Sequence, residues 1–148
     1  PQARLMIVGD GPDCSMLEKL CVTLGVGNSV IFAGYRSDVR TFYPLMDIFA
    51  LASAHEAFGL VLVEAMFAEV PIIGTEVGGI PFVLDSGRCG ALVPPLAPLS
   101  LSRTLSDLIA SPSLRAEYAR LGLARAREEF SAERYCREID ELYTSLIQ

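Results

Sequence analysis

Short, largely apolar runs recur along this chain: Leu5-Met6-Ile7-Val8, Val30-Ile31-Phe32-Ala33, Asp47-Ile48-Phe49-Ala50-Leu51, Pro71-Ile72-Ile73-Gly74 and Gly90-Ala91-Leu92-Val93. None alternates polar with apolar positions, so each predicts a strand buried on both faces, as in a parallel sheet. Stretches of helical period separate them. Asp13 is placed to cap a helix with the stripe Met16, Leu17, Leu20 and Leu24, ending near Gly25 or Gly27. A second helix is predicted over 38–45, with Val39, Phe42 and Leu45 inward; a third starts near Gly59; a short fourth follows Gly78-Gly79-Ile80-Pro81. Strand alternating with helix predicts an α/β domain, a parallel sheet covered on both faces, with the loops after its strands on one edge. Those loops are Gly9 to Gly11, Gly34 to Arg36, Ser53 to Gly59 and Thr75 to Gly79. Pro94-Pro95 and Pro98 form a stiff connector to an all-helical tail. There Ser100 or Ser102 starts a helix with Leu101, Leu105, Leu108 and Ile109, Ser111-Pro112 starts the next, and Ser131 caps the last, striped by Tyr135, Ile139, Leu142, Tyr143 and Leu146.

One stretch breaks the apolar pattern with charge: His55-Glu56-Ala57-Phe58-Gly59-Leu60-Val61-Leu62-Val63-Glu64-Ala65-Met66. Glu64 is the only polar side chain from Leu60 to Phe67, so this helix is expected to pack inside the domain, and its carboxylate needs a partner. A start at Gly59 leaves the amides of Gly59, Leu60 and Val61 without intrahelical acceptors, beside the positive end of the helix dipole, where an anion such as phosphate is favoured. Helical side chains lean toward the N-terminus, which aims Glu64 at the same spot, and Glu56 approaches from the preceding loop. Two carboxylates that accept hydroxyl bonds around an anion-binding helix start suit a ligand carrying sugar hydroxyls and phosphates. Gly9-Asp10-Gly11-Pro12 reads either as a turn or as a phosphate loop, and its G-x-G spacing does not choose between them.

Glu56 and Glu64 stand in E-x7-E spacing, and with Phe58-Gly59-Leu60 and Glu64-Ala65-Met66 inside it the segment resembles the donor-site signature of the retaining GT-B glycosyltransferases, the E-x7-E "glycosyl transferases group 1" family. The resemblance runs from Val8-Gly9-Asp10-Gly11-Pro12 through Gly78-Gly79-Ile80-Pro81 and Gly90-Ala91-Leu92-Val93-Pro94-Pro95 to Phe130-Ser131-Ala132-Glu133-Arg134. It implies that residues 1–148 form one Rossmann-like, nucleotide-sugar-binding domain, half of a GT-B fold, whose donor is a nucleoside diphosphate sugar and whose chemistry needs no metal and no cofactor. The implied donor-binding set is Gly9, Gly11, Gly34, Tyr35, Arg36, Glu56, Phe58, Gly59, Leu60, Val61, Glu64, Gly78 and Gly79. Within it Glu56 faces the donor sugar and is the catalytic candidate, the amides of Gly59, Leu60 and Val61 meet sugar and diphosphate, Glu64 accepts from ribose hydroxyls, and the main chain at Gly34, Tyr35 and Arg36 borders the base. Either glutamate could act as a covalent nucleophile, and an electrostatic and hydroxyl-binding role fits both equally.

The resemblance also marks departures. It implies a further strand and helix before Pro1, carrying an Arg and a Lys that neutralise the leaving diphosphate, and an N-terminal acceptor domain; with all of these outside the chain, it is expected to be inactive by itself, as an excised piece or a truncated reading frame. Ala52 stands where Pro is usual, Phe82 where Glu is usual, and Glu69 where Gly usually closes the signature helix. Glu69 is therefore expected in a left-handed conformation.

Composition narrows the alternatives. With 51% apolar residues among 148, the chain can bury a real core. Its net charge of −6 argues against nucleic acid as a partner. Cys14, Cys21, Cys89 and Cys136 have neither CxxC spacing nor a dense framework, which predicts reduced thiols in a cytoplasmic protein, and the single His55 cannot complete a zinc site with them. No leader and no apolar run long enough to span a membrane is visible. The arginines of the tail, Arg115 to Arg137, interleave with glutamates and predict a solvated, salt-bridged face, with a patch against the inner face of a membrane as the alternative. Two other functions remain open: a non-catalytic α/β partner-binding module, doubly wound like a response regulator, and a nucleotide-sugar epimerase of the same architecture.

Overall fold

The computed structural model describes residues 3–147; the ends of the expected 1–148 domain, Pro1, Gln2 and Gln148, lie outside the described residues. The chain packs as two compact units, the first ending at Phe42 and the second beginning at Tyr43. Where the sequence predicts a single sheet, the hydrogen-bonded strands form two parallel sets, one in each unit.

In the first unit β1 (Leu5–Val8) pairs in parallel with β2 (Val30–Gly34), and α1 (Cys14–Thr23) makes the crossover. The expected stripe of α1 is not buried: Met16 is 57% exposed, Leu20 47% and Leu24 64%, because no residue of this helix finds a covering surface large enough. Asp13 stands at the N-cap of α1, but its side chain caps no amide, and its own backbone is right-handed. In the preceding turn Asp10 accepts from the Gly11 amide at 2.8 Å.

The helix predicted over 38–45 is absent. Two 3-10 turns, Val39–Thr41 and Tyr43–Leu45, stand in its place, since Pro44 supplies no amide for an α-helical bond and disfavours a helical backbone at Tyr43. Leu45, expected inward, is 70% exposed, and the buried residue is Tyr43.

The second unit orders its strands β3-β4-β5: Phe49–Leu51, Ile72–Thr75 and Ala91–Val93, all parallel. Side chains of β4 alternate between two covered faces, as the unbroken apolar run requires. Ile73 packs with Val93 of β5 and Leu108 of α4 (Pro98–Ala110). On the other face, Gly74 leaves room for Ile80 and Leu84 at α3 (Ile80–Val83); a Cβ there would stand 2.5 Å from Ile80 Cγ2. The helix α2 (Leu60–Phe67) buries Leu62, Val63, Ala65 and Met66, although Leu60 (69%) and Phe67 (44%) are exposed, so it is not enclosed all round. At Gly122 of α5 (Pro112–Glu129) the backbone passes close to Met66 of α2.

In the tail α4 begins at Pro98, so Pro98 opens this helix rather than stiffening the connector, and Ser100 and Ser102 lie inside it. Ser111 caps α5 by accepting from the Leu114 amide, and Ser131 caps α6 (Ala132–Ile147) by accepting from the Arg134 amide, both as predicted. The stripe of α6 is mostly uncovered: Tyr135, Leu142, Tyr143 and Leu146 are exposed, and Ile139 is half-buried.

Candidate functional site

In the second unit the site is built on the start of α2. Gly59 is the N-cap, with φ of 88° and ψ of 52°, a left-handed turn that glycine adopts without a Cβ penalty. A Cβ there would also stand 2.9 Å from Leu62 Cδ1. The first amide to return to the backbone is that of Leu62, which donates to Gly59 O at 2.9 Å. The amides of Gly59, Leu60 and Val61 precede that bond at the positive end of the helix.

The carboxylate of Glu64 is held by a residue that periodicity does not reveal. The Tyr43 hydroxyl donates to Glu64 Oε2 at 2.9 Å and lies 3.3 Å from Val61 O. Tyr43 is 2% exposed, and its ring meets Phe49 edge-on at 5.7 Å. The Tyr43 hydroxyl thereby fixes the orientation of the Glu64 carboxylate.

Glu56 is set by backbone packing. A Cβ at Gly78 would stand 1.6 Å from the Glu56 carbonyl oxygen, and one at Gly79 would stand 2.7 Å from Ala57 O. Only glycines let the two loops approach so closely, and the Gly79 amide uses the approach to donate to Ala57 O at 3.0 Å. Gly78 and Gly79 thus press against the loop that carries Glu56. Below them Thr75, 3% exposed, donates from its hydroxyl to Ser53 O at 2.6 Å and ties the loop after β3 to the end of β4. Neither Thr75 nor Tyr43 carries a sequence signal that separates it from ordinary polar residues.

Phe82 is 58% exposed, and its ring takes part in an aromatic cluster. Phe58, Phe82 and Phe130 form a trio with ring centroids 5.8 to 6.5 Å apart, and the Arg125 guanidinium lies 5.4 Å from the Phe82 ring and 5.6 Å from the Phe130 ring. A groove of about 370 Å³ opens beside this trio, lined by Phe58, Leu60 and Val63 and by the turn from α5 into α6.

The remaining candidates belong to the first unit. The Gly9 amide donates to Gly34 O at 2.8 Å, which brings these two loops together, and Gly34 is left-handed with φ of 65°. Gly11 accepts from the Cys14 amide at 3.2 Å. Tyr35 is 79% exposed. The Arg36 guanidinium is committed to Asp38 through two bonds of 2.9 and 2.8 Å and lies 5.1 Å from the Phe42 ring centre. The same hydrogen bonding raises the Arg36 pKa above its ordinary value and lowers that of Asp38 below the usual carboxylate range. Among the described residues no group of three or more His, Cys, Asp and Glu side chains could hold a metal ion, and no helix is long and apolar enough to cross a membrane.

Comparison with known proteins agrees with this architecture. The chain is 31% identical over 146 residues to N-acetyl-alpha-D-glucosaminyl L-malate synthase of Bacillus anthracis, covering 99% of itself and 38% of that protein. It is 32% identical over 133 residues to the lipopolysaccharide core biosynthesis glycosyltransferase LpsE of Rhizobium meliloti (strain 1021), covering 90% of itself and 39% of the relative. The Anabaena protein Alr3699/HepE, solved in complex with UDP and also with UDP-glucose, superposes with a TM-score of 0.89 at 28% and 29% identity, over 98% of this chain and 42% of the other. The chain therefore spans about two fifths of the length of these relatives, in which this fold is the C-terminal domain of a GT-B glycosyltransferase. The family model for glycosyl transferases group 1 matches residues 1–124, and this chain belongs to that family.

Proposed function

We propose that this chain is the donor-binding half of a retaining glycosyltransferase, one that moves a sugar from a nucleoside diphosphate sugar to an acceptor. The observation that carries the reading is the start of α2: a left-handed Gly59 followed by amides ahead of the first helical bond, with Glu64 held by Tyr43 one and a half turns further in. Amides at a helix start take phosphate oxygens, and carboxylates take hydroxyl protons. In this reading the diphosphate lies at Gly59, Leu60 and Val61, Glu64 accepts from ribose hydroxyls, and Glu56 faces the hydroxyls of the transferred sugar and is the catalytic candidate. Gly78 and Gly79 act by shaping the Glu56 loop, and the family resemblance adds Gly9, Gly11, Gly34, Tyr35 and Arg36 as donor-binding candidates. Leaving-group charge is met by cations of the protein and needs no metal ion or cofactor. HepE, which binds UDP and UDP-glucose, supports a nucleotide-sugar donor.

Calorimetric titration of the chain with UDP, GDP and ADP tests this. At least one should bind with a Kd of about 0.1 to 1 mM, corresponding to roughly 4 to 5.5 kcal/mol. No heat from any of the three at millimolar ligand would overturn the donor reading for this chain.

A further inference from the structure

Two arginines of α5 do the same thing locally and differ in what lies beyond. Arg115 donates to Leu108 O at 2.6 Å and Ile109 O at 2.9 Å, closing the end of α4. Arg125 donates to Phe82 O at 2.6 Å and Val83 O at 2.9 Å, closing the end of α3. Each arginine bridges two successive carbonyls of a helix end, one of which, Leu108 O or Phe82 O, also accepts from a cap amide. But α3 is one turn long, so whatever fixes its end also fixes its start. Its start is Gly78-Gly79, in backbone contact with Glu56 and Ala57.

A second route runs from Arg125 to the same loop through side chains. Its guanidinium lies over Phe82 and Phe130, with the side chain only 17% exposed and Asp85 3.8 Å away. Phe130 meets Phe58 edge-on at 5.8 Å, and Phe58 directly precedes the N-cap Gly59. Two routes thus reach loop 56–59, one through the backbone of α3 and the other through the rings. A planar fork with two divergent N–H donors and a stackable face can serve both at once, which an ammonium cannot.

We infer that Arg125 is a positioning residue for loop 56–59, setting Glu56 and the start of α2 through α3 and the Phe58, Phe82 and Phe130 rings. Its consequence for ligand binding rests on the donor reading above; its structural content does not. The Gly79 amide, bonded to Ala57 O, reports whether the loop is held. Amide hydrogen exchange on the 148-residue chain should show the Gly79 proton exchanging at least about tenfold faster in Arg125→Met than in the wild type, beyond any change at Ile73 in the sheet. Arg115→Met, which removes an equivalent pair of bonds away from the loop, should change Gly79 no more than it changes Ile73. In titrations, Arg125→Met should weaken UDP-glucose binding by at least about fivefold while Arg115→Met leaves it within about twofold.

An unchanged Gly79 rate in Arg125→Met, or an equal acceleration in both variants, would overturn the proposal. If the wild type binds neither UDP nor UDP-glucose, the donor reading falls and the exchange comparison alone decides the positioning role. Should Arg125→Met not fold, Phe130→Leu leaves both carbonyl bonds intact and loosens only the ring route. It should accelerate Gly79 in the same direction, and no change there would equally sink the inference.

Discussion

The two ends of α2 use the same unusual backbone for opposite purposes. At the start Gly59 is left-handed with φ of 88°, and the amides of Leu60 and Val61 come before the first bond the helix makes to itself. At the other end Glu69 is left-handed with φ of 58°, and there its amide donates to Met66 O and that of Val70 to Ala65 O, the paired bonds of a Schellman turn. Glycine takes this conformation freely, whereas glutamate pays about 1 to 2 kcal/mol for its Cβ. The relaxed residue sits where the helix meets a candidate ligand, and the strained one sits where the next strand must be launched into the core at Val70, which is 4% exposed. Strain is tolerated at the end that packing holds in place.

Three substitutions would break or sharpen this contrast. Glu64→Gln has the largest expected effect and should show in binding alone: loss of the charge should weaken nucleoside diphosphate binding by about 1 to 3 kcal/mol, since hydrogen bonds to charged groups are worth that much. Its amide oxygen can still accept from Tyr43, so the melting temperature should barely move. Unchanged affinity with a lower melting temperature would make Glu64 a packing residue. Gly59→Ala should cost about 1 to 2 kcal/mol of stability in urea titrations, from the left-handed backbone and the approach to Leu62. Equal stability would mean that the start of α2 relaxes readily and is no rigid cradle. Smallest is Glu69→Gly, which should raise stability by about 1 kcal/mol or less, the relief of strain being trimmed by the freer unfolded chain. A less stable Glu69→Gly would show that the Glu69 side chain contributes more than its backbone costs.

The sequence was informative where backbone chemistry is local. Left-handed geometry at Glu69 followed from the resemblance, which puts a helix-closing glycine at that position, and the caps at Ser111 and Ser131 from a side-chain oxygen just ahead of a helical period. All five described strands lie where the apolar runs predict; β1 matches at both ends and the others end within two residues, because hydrogen bonding, not hydropathy, closes a strand. Failures came where a local pattern met a stronger constraint. Pro44 divided a helix whose period was otherwise sound, and the stripes of α1 and α6 had period without a surface to pack against. Tyr43 and Arg125 were out of reach for another reason. Each acts on a partner far along the chain, Glu64 and the carbonyl of Phe82, and no spacing rule encodes such a pairing. Phe82 shows the intermediate case, since its departure from the family pattern was visible while the rings and cation receiving it were not.

The first unit has no fully buried residue among those described, whereas the second holds a core that includes Leu62, Met66, Ile73 and Ile80. A two-stranded parallel pair with one helix is a small structure, and cooperative opening costs little where few apolar contacts must be broken. The first unit is therefore expected to open at lower free-energy cost than the second, so the Gly9 amide, bonded to Gly34 O, should exchange faster than that of Ile73 in the sheet beside Glu56 and Glu64. Heat, denaturant or a protease would meet the loops around Gly9 and Gly34 first, at conditions where the start of α2 is still intact.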